Sequence, residues 1–409
     1  MKRIRLAVIS DIHAGDGARA KDLCPEGSPG RDKKPDDNYI EKFLQFLKAS
    51  NLEADYLLLP GDVTDRAKPN EVQVASNFIA RVCEVLNLGL DRVLFVPGNH
   101  DVDWSVIDPT DTTGVRRAQR YVPIQAEKFC FGAIVAQGEG CVFEAPHFTV
   151  WSRPDLLVIG YNSSHHDEPA KFHHGLLDAS HYEEMRAALA KLPASREQLR
   201  VFLIHHHMRQ YDDPTPDSPD ASIMVNAEKL QSLLLEFGFD LMVHGHRHLP
   251  RFTTHSLNGA PEVAVLSSGS FSVEIDTRWT GTINNQFHLI TVDGRDAAEQ
   301  LILGRVESWS YNYVRGWSKS DGEHDGIPHV EPFGSYIRPE ALKALVRPLL
   351  EGHFYSRHYV EWSAIAIQEP RLKHLRPQVV VRLLDELAPQ LGFKRHHDTP
   401  EKMVLLKIE

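Results

Sequence analysis

The strongest constraint on this chain is the way its short apolar runs end. Residues 6–10, 56–59, 93–96, 201–204 and 241–243 are each a few largely apolar residues long, as a buried strand requires. Each is followed at once by polar, metal-capable residues: Asp11-Ile12-His13, Gly61-Asp62-Val63-Thr64-Asp65, Gly98-Asn99-His100-Asp101, His205-His206-His207 and Gly245-His246-Arg247-His248. Between the first three runs lie stretches with apolar residues at helical spacing, 39–47 and 71–88. Strand, helix, strand, helix, strand in this order specifies a largely parallel sheet with helices outside. In such sheets ligands sit beyond the carboxyl ends of the strands, where these clusters fall.

The rest of the chain continues the pattern. A further strand is expected at 156–161, with helices at 115–129, 181–192 and 227–237. Runs at 263–266, 270–275, 287–292 and 299–306 read as antiparallel strands completing a second sheet. Residues 14–38 are rich in Gly, Pro and charge and read as a long loop, either a lid or binding loop or else disordered. Residues 211–220 form a second loop of Pro and Asp. The stretch 309–337 is aromatic- and Gly-rich and reads as a linker. Helices at 338–351, 357–368 and 377–391, then a hairpin at 393–408, make a small α+β module compatible with a winged helix. The expected organisation is a large domain at 1–308, the linker, and a small domain at 338–409.

Charge and cysteine content exclude several classes. Among 409 residues, 45 Lys and Arg face 56 Asp and Glu, a net charge of −11. That excludes a protein coating nucleic acid by charge alone. The tail is a local exception, with 11 basic and 9 acidic residues from Glu340 to Glu409. No apolar run approaches the ~20 residues of a membrane helix. The start MKRIRLAVISDIH has a basic lead but neither the apolar core nor the cleavage pattern of a signal peptide. Cys24, Cys83, Cys130 and Cys141 show no CxxC spacing, which argues against a zinc ribbon or redox pair and suits a reducing cytoplasm.

The strand-end clusters offer carboxylates, an amide oxygen and imidazoles, with no thiolate. Such donors suit Mn, Fe or Zn. Seven donors, Asp11, His13, Asp62, Asn99, His205, His246 and His248, are too many for one tetrahedral site. They match two octahedral-like sites sharing a carboxylate and completed by water. Gly61, Gly98 and Gly245 beside them permit sharp turns and close approach. A lone D-x-H or G-D-x-x-D is common in surface turns. Five such clusters in order, each at a strand end, are not.

This set resembles the signature of the calcineurin-like metallophosphoesterase superfamily: D-x-H, G-D-x-x-D, G-N-H-[DE], H and G-H-x-H, over roughly residues 1–306. The resemblance implies a four-layer α/β/β/α sandwich with the small C-terminal α+β module appended. It implies that Asp11, His13 and His248 hold one divalent metal, that Asn99, His205 and His246 hold a second, and that Asp62 bridges them. His100 would be a non-ligand that contacts the phosphate and protonates or stabilises the leaving group, and Asp101 would orient His100. The superfamily often has H-H-P where this chain has His205-His206-His207-Met208, so His206 remains a rival to His205. Two cations about 3.5–4 Å apart lower the pKa of a shared water, so a bridging hydroxide attacks phosphorus directly.

The D-x-H start and single-chain form resemble the bacterial cyclic-nucleotide-phosphodiesterase branch. The expected activity is therefore hydrolysis of a phosphodiester of nucleotide type, with Mn the metal of choice in vitro. The alternatives are a nuclease recruited to DNA or RNA through the C-terminal module, and a non-catalytic scaffold of the kind that arises when ligands are lost; here none is missing. No membrane partner is expected, and the oligomeric state is left open. His165-His166, His173-His174 and His396-His397 read as loop or surface histidines, with Asn162 and His165 as candidates to touch substrate. Arg247 either reaches a phosphate or faces solvent. Trp309, Tyr311, Tyr313 and Trp317 read as linker aromatics packed on a domain, with base stacking the alternative. Lys394 and Arg395 read as a solvated hairpin face, with nucleic-acid contact the alternative.

Overall fold

The computed structural model describes residues 1–106, 141–144, 147–167, 174–192, 195–211, 222–255, 263–273, 283–296, 300–322, 324–398 and 400–408. The helix expected at 115–129, His173 and most of the loop 211–220 lie outside these residues. The chain divides into two units, Met1–Ile290 with Glu307–His329, and Thr291–Val306 with Val330–Glu409.

The first sheet is built on β1 (Ile4–Val8), β2 (Tyr56–Leu59) and β3 (Val93–Phe95). These three are parallel, with Leu6 opposite Tyr56 and Leu57 opposite Val93. The second sheet has β4 (Cys141–Glu144), β5 (Phe148–Ser152), β6 (Leu156–Tyr161), β7 (Leu199–Ile204), β8 (Leu241–His244), β9 (Pro250–His255) and β10 (Val263–Ser268). Its order is β4-β5-β6-β7-β8-β10-β9, with β6, β7, β8 and β10 parallel and the outer strands antiparallel. Helices α1 (Tyr39–Ala49) and α2 (Pro69–Leu86) bury Phe43, Phe78 and Val82 against Leu57, Leu59 and Phe95 of the first sheet. Helices α3 (Ala179–Ala190) and α4 (Ala227–Glu236) bury Met185, Leu230 and Leu233 against Ile159, Phe202 and Met242 of the second. The result is the expected four-layer α/β/β/α sandwich.

Two expectations about the later strands change. β11 (Gln286–Arg295) and β12 (Ile302–Asn312) belong to the first sheet, in the order β13-β12-β11-β1-β2-β3, where β13 is Gly316–Lys319. β10 runs parallel to β8. Apolar alternation identifies a strand but carries no label for the sheet it joins. Of residues 270–275, expected as a strand, Phe271 and Ser272 bend, Val273 makes a single antiparallel bridge with Ala18, and 274–275 lie outside the described residues. The stretch 309–337 holds β13 and β14 (Val330–Phe333), and β14 pairs with β12. Trp309 and Tyr311 are buried, Trp317 packs on Phe43 and Phe271, and Tyr313 is exposed.

The loop 14–38 is neither open nor irregular throughout. It buries Ala18, Ala20, Leu23 and Cys24 and makes short 3-10 turns at Lys21–Leu23 and Arg31–Lys33. Its end is tied down by Asp36, whose buried carboxylate accepts from Tyr311 Oη at 2.8 Å and from Arg19 Nε at 3.2 Å. Asp22 caps α1 from the loop by accepting from Ile40 N at 2.7 Å.

The second unit carries α5 (Pro339–Ser356), β15 (Tyr359–Glu361), α6 (Trp362–Gln368), α7 (Pro377–Leu391), β16 (Phe393–His396) and β17 (Val404–Lys407). Its strands form an antiparallel sheet in the order β15-β17-β16. Leu342, Val346, Trp362, Ile365, Leu384 and Leu405 make its core. Gly392, at φ 66°, ends α7 with a left-handed cap. The run 357–368, expected as one helix, opens with β15 because Val360 pairs with Leu405.

Candidate metal centre

The metal-capable residues of the first unit meet at the carboxyl ends of β1, β2, β3, β7 and β8. Three groups of donors lie close enough to share an ion among the described residues: Asp11, His13, Asp62 and His248; Asp62, His205 and His246; and His13, Asp65 and His100. Asp62 belongs to the first two. Its Oδ2 lies 3.5 Å from His13 Nε2 and 3.2 Å from His205 Nε2. Its other oxygen, Oδ1, accepts from His100 N at 2.8 Å, which fixes the carboxylate's rotation.

Asp11 Oδ1 lies 3.2 Å from His248 Nε2 and 4.0 Å from His13 Nε2. Asn99 Oδ1 sits 3.0 Å from His205 Nε2 and 3.0 Å from His246 Nδ1. The residues expected in the two sets thus lie side by side, drawn from segments as far apart in the sequence as Asp11 and His248. His205 Nδ1 donates to Pro60 O at 2.8 Å, so Nε2 is the atom turned to the centre. His206, the rival, turns away: its Nδ1 meets Ser163 Oγ at 2.8 Å and its Nε2 lies 3.5 Å from Asp167.

The local backbone explains how strand ends present these groups. Asp11, His13, Asp62, His246 and His248 all have positive φ, at 51°, 49°, 53°, 71° and 55°. Non-glycine residues in this region are uncommon and concentrate at functional sites. Each turn rotates its side chain off the alternation of the strand, so that neighbours in the D-x-H and G-H-x-H motifs face one centre. Gly61 has φ 101°, and a Cβ there would meet Gly98 N at 2.8 Å. The G-D and G-N-H turns pack too closely for any side chain at that point.

The buried carboxylates and imidazoles of the centre act on one another's charge. Asp62 is fully buried, yet His205, His100 and His13 hold its carboxyl well below the usual range against the effect of burial. Burial pulls His205 down, but Asp62 outweighs it and lifts the imidazole to about 9. Burial, with His206 and His205, holds His246 well below its ordinary value. His13 Nε2 is buried with no hydrogen-bond partner among the described residues, and it is aimed at Asp11 and Asp62. A buried imidazole nitrogen facing two carboxylates is the arrangement expected of a metal ligand. The donors therefore fit two divalent ions.

His100 is about a third exposed, with its ring 4.5 Å from that of His13. One expectation is corrected here. Asp101 does not hold the His100 ring. Its fully buried carboxylate accepts from Gly98 N at 2.9 Å, Thr64 N at 2.9 Å, Thr64 Oγ1 at 2.9 Å and Val63 N at 3.3 Å. Asp101 thus knits the G-D-x-x-D turn to the G-N-H-D turn. Burial and Asp62 raise its pKa to about 6. His100 Nδ1 is held at 2.8 Å by the main-chain oxygen of Asp65, whose carboxylate lies 3.8 Å from His13 Nδ1. Asp65 was present in the motif without a role; its position as second acid of G-D-x-x-D was the available signal. Glu71 of α2 secures that turn by accepting from Arg66 N at 2.7 Å.

The remaining histidines divide. His165 is buried among His147, His166 and His181, and burial pushes it down to about 2. His396 and His397 are exposed. Asn162 is buried, and its side-chain oxygen accepts from Ser164 N at 3.1 Å. Arg247 lies within 3.5 Å of Ser222 Oγ. Arg395 pairs with Asp385 and Asp398, which removes it as a free basic group.

The sequence model for calcineurin-like phosphoesterases matches residues 4–250. No curated protein matches the chain. Among solved structures, TT1561 of Thermus thermophilus is 16% identical with a TM-score of 0.36, over 71% of this chain and 94% of that one. Purple acid phosphatase PPD1 from yellow lupin (Lupinus luteus) seeds is 15% identical with a TM-score of 0.42, over 76% and 55%. The NAD nucleotidase NadN of Haemophilus influenzae is 10% identical with a TM-score of 0.36, over 78% and 60%.

Proposed function

Because the chain belongs to the calcineurin-like phosphoesterase family, we propose that it is a two-metal phosphoesterase acting on phosphodiesters of nucleotide type. The observation that carries this reading is the Asp62 carboxylate, one oxygen of which faces both donor sets. Asp11, His13 and His248 would hold one ion, Asn99, His205 and His246 the other, and Asp62 both. Bound there, the ions supply Lewis acidity and a nucleophilic hydroxide at neutral pH. Manganese suits the oxygen and nitrogen donors.

His100 supplies the proton for the leaving group. A carbonyl oxygen only accepts, so the bond to Asp65 O keeps a proton on Nδ1 in every state. Nε2 is then the atom that gains and gives a proton. Asp62 and Asp65 raise the pKa of His100 against the pull of burial, which favours the protonated form. Asp101 acts by holding the two turns that carry Asp62 and His100. The buried thiols Cys24 and Cys83 suit a reducing cytoplasm as the setting.

A second reading is a nuclease. What favours it is the element order of the second unit: helix, strand, helix, helix, strand, strand. A salt-sensitive shift of labelled DNA or RNA would separate the two readings, since only a nuclease needs it.

The test is hydrolysis of bis(p-nitrophenyl) phosphate and p-nitrophenyl phosphate by metal-stripped protein refilled with Mn²⁺. Diester turnover that needs metal and is lost in Asn99→Ala is expected, and a panel of cyclic nucleotides and oligonucleotides then ranks substrates. Absence of both turnover and metal binding would refute the enzyme and favour an interaction scaffold.

A further inference from the structure

Directly at the end of β10 the chain reads Ser267-Ser268-Gly269-Ser270-Phe271-Ser272. No ligand lies in this run, yet its four serines are each 1% exposed or less. All four hydroxyls donate to main-chain carbonyls in or beside the two loops that carry metal ligands. Ser270 Oγ reaches Asp11 O at 2.8 Å, and Ser272 Oγ reaches Ile12 O. Ser268 Oγ reaches His244 O at 2.6 Å, and Ser267 Oγ reaches Leu249 O at 2.7 Å. The D-x-H loop is thus held at Asp11 and Ile12, and the G-H-x-H loop on either side of His246 and His248. The main chain adds a bond from Phe271 N to Ser10 O at 2.7 Å.

The need for such a device follows from the backbone. Asp11, His13, His246 and His248 all sit at positive φ. Residues held there persist only where their surroundings over-determine them. Turning the chain this way also swings carbonyls off the strand ladder, and a buried carbonyl needs a donor. Serine is the shortest side chain with a rotatable donor, and it fits where the loops nearly touch the run.

Resting on the two-metal reading above, we infer that Ser267, Ser268, Ser270 and Ser272 are positioning residues for the metal ligands. They clamp both ligand loops from one segment, so that Asp11, His13, His246 and His248 are arranged before an ion arrives. The run bridges two motifs far apart in the sequence.

The test uses Ser270→Ala and Ser268→Ala, one for each loop. Ser232→Ala is the control, since its hydroxyl also donates to a main-chain carbonyl, but within α4. Each metal-stripped protein is titrated with Mn²⁺ by calorimetry well below its unfolding temperature, with circular dichroism to verify the fold. Wild type and Ser232→Ala should bind two ions with equal affinities. Each of the other variants should bind Mn²⁺ on the order of 10-fold more weakly or worse, as for lost supports of metal ligands elsewhere. Hydrogen exchange of the metal-free proteins should be faster at the amides of His13 and His246. Ser270→Cys keeps a weaker donor of similar size, serves if alanine does not fold, and should bind with intermediate affinity. Unchanged Mn²⁺ affinity and exchange, with only a lower melting temperature, would overturn the inference and leave the serines as ordinary core hydroxyls. Failure of wild type to bind Mn²⁺ would overturn the two-metal reading itself, and this inference with it.

Discussion

His100 Nδ1 donates to the main-chain oxygen of Asp65 at 2.8 Å. The bond ties the orientation of one imidazole to the backbone of a neighbouring turn, not to a titrating side chain. It decides which nitrogen faces the open side of the centre. It also separates the group that would handle the leaving-group proton from the groups that would hold metal.

Replacing His100 should therefore affect turnover and not metal. In His100→Asn, kcat is expected to fall by roughly 10²–10⁴-fold, the usual contribution of a positioned acid. Mn²⁺ stoichiometry should be unchanged. Asp65→Asn keeps the main-chain bond, so it should cost less in kcat. Steady-state kinetics beside calorimetric titration measures both; loss of metal in His100→Asn would contradict the assignment.

Asp62 is the residue on which both donor sets depend. Asp62→Asn should lower the affinity for at least one ion by more than the roughly 10–100-fold that a lost supporting hydrogen bond costs. Bound metal should fall from two equivalents toward one or none, by elemental analysis of dialysed protein. Two tightly retained equivalents would show that Asp62 does not bridge.

Gly61→Ala tests the crowding of the two turns. Gly61 has φ 101°, and its new Cβ would lie 2.9 Å from Gly98 Cα. The Gly98 backbone lies on one side and the His205 ring, fixed by its bond to Pro60 O, on the other, so neither gives way cheaply. The substitution should destabilise the fold by more than about 1 kcal/mol and weaken Mn²⁺ binding. Urea unfolding with and without Mn²⁺ gives both quantities.

His288 gives a pH dependence independent of metal. It is fully buried on β11, with Nε2 donating to Ser268 O at 2.6 Å and Nδ1 facing Ser308 Oγ at 2.8 Å. Burial lowers its pKa from 6.5 to about 4. Between these values the unfolded chain takes up a proton that the folded chain refuses. Stability is therefore whole above pH 6.5 and is lost as pH falls toward 4, by about 3 kcal/mol in sum. Urea midpoints of the metal-free protein at pH 7 and pH 5 should differ, and His288→Gln should flatten the difference. An equal slope in that variant would place the effect elsewhere.

Much of this was legible without coordinates because it depends on periods and on strand ends. Five apolar runs of strand length, each followed by donors, specified the parallel core and the edge where the centre sits. The helices α1, α2, α3 and α4 followed from spacing within a few residues at their ends. β11 and β12 were recognisable as strands, but their sheet was not, since alternation records burial and not partnership. The loop after Asp11 looked open because Gly, Pro and charge dominate its composition. It is ordered by Asp36, Tyr311 and Arg19, and Tyr311 lies 275 residues from Asp36.

The order of residues along the chain determined which donors exist, that none is a thiolate, and that they fall at the ends of strands. Only the tertiary structure decided which atoms converge. His205 and not His206 faces Asn99, Asp65 and not Asp101 holds His100, and four serine hydroxyls brace two ligand loops. The reason is geometric: just past a strand the side-chain alternation ends, and residues at positive φ point where the local turn sends them. Those turns are set by contacts with other strand ends, which linear spacing does not contain.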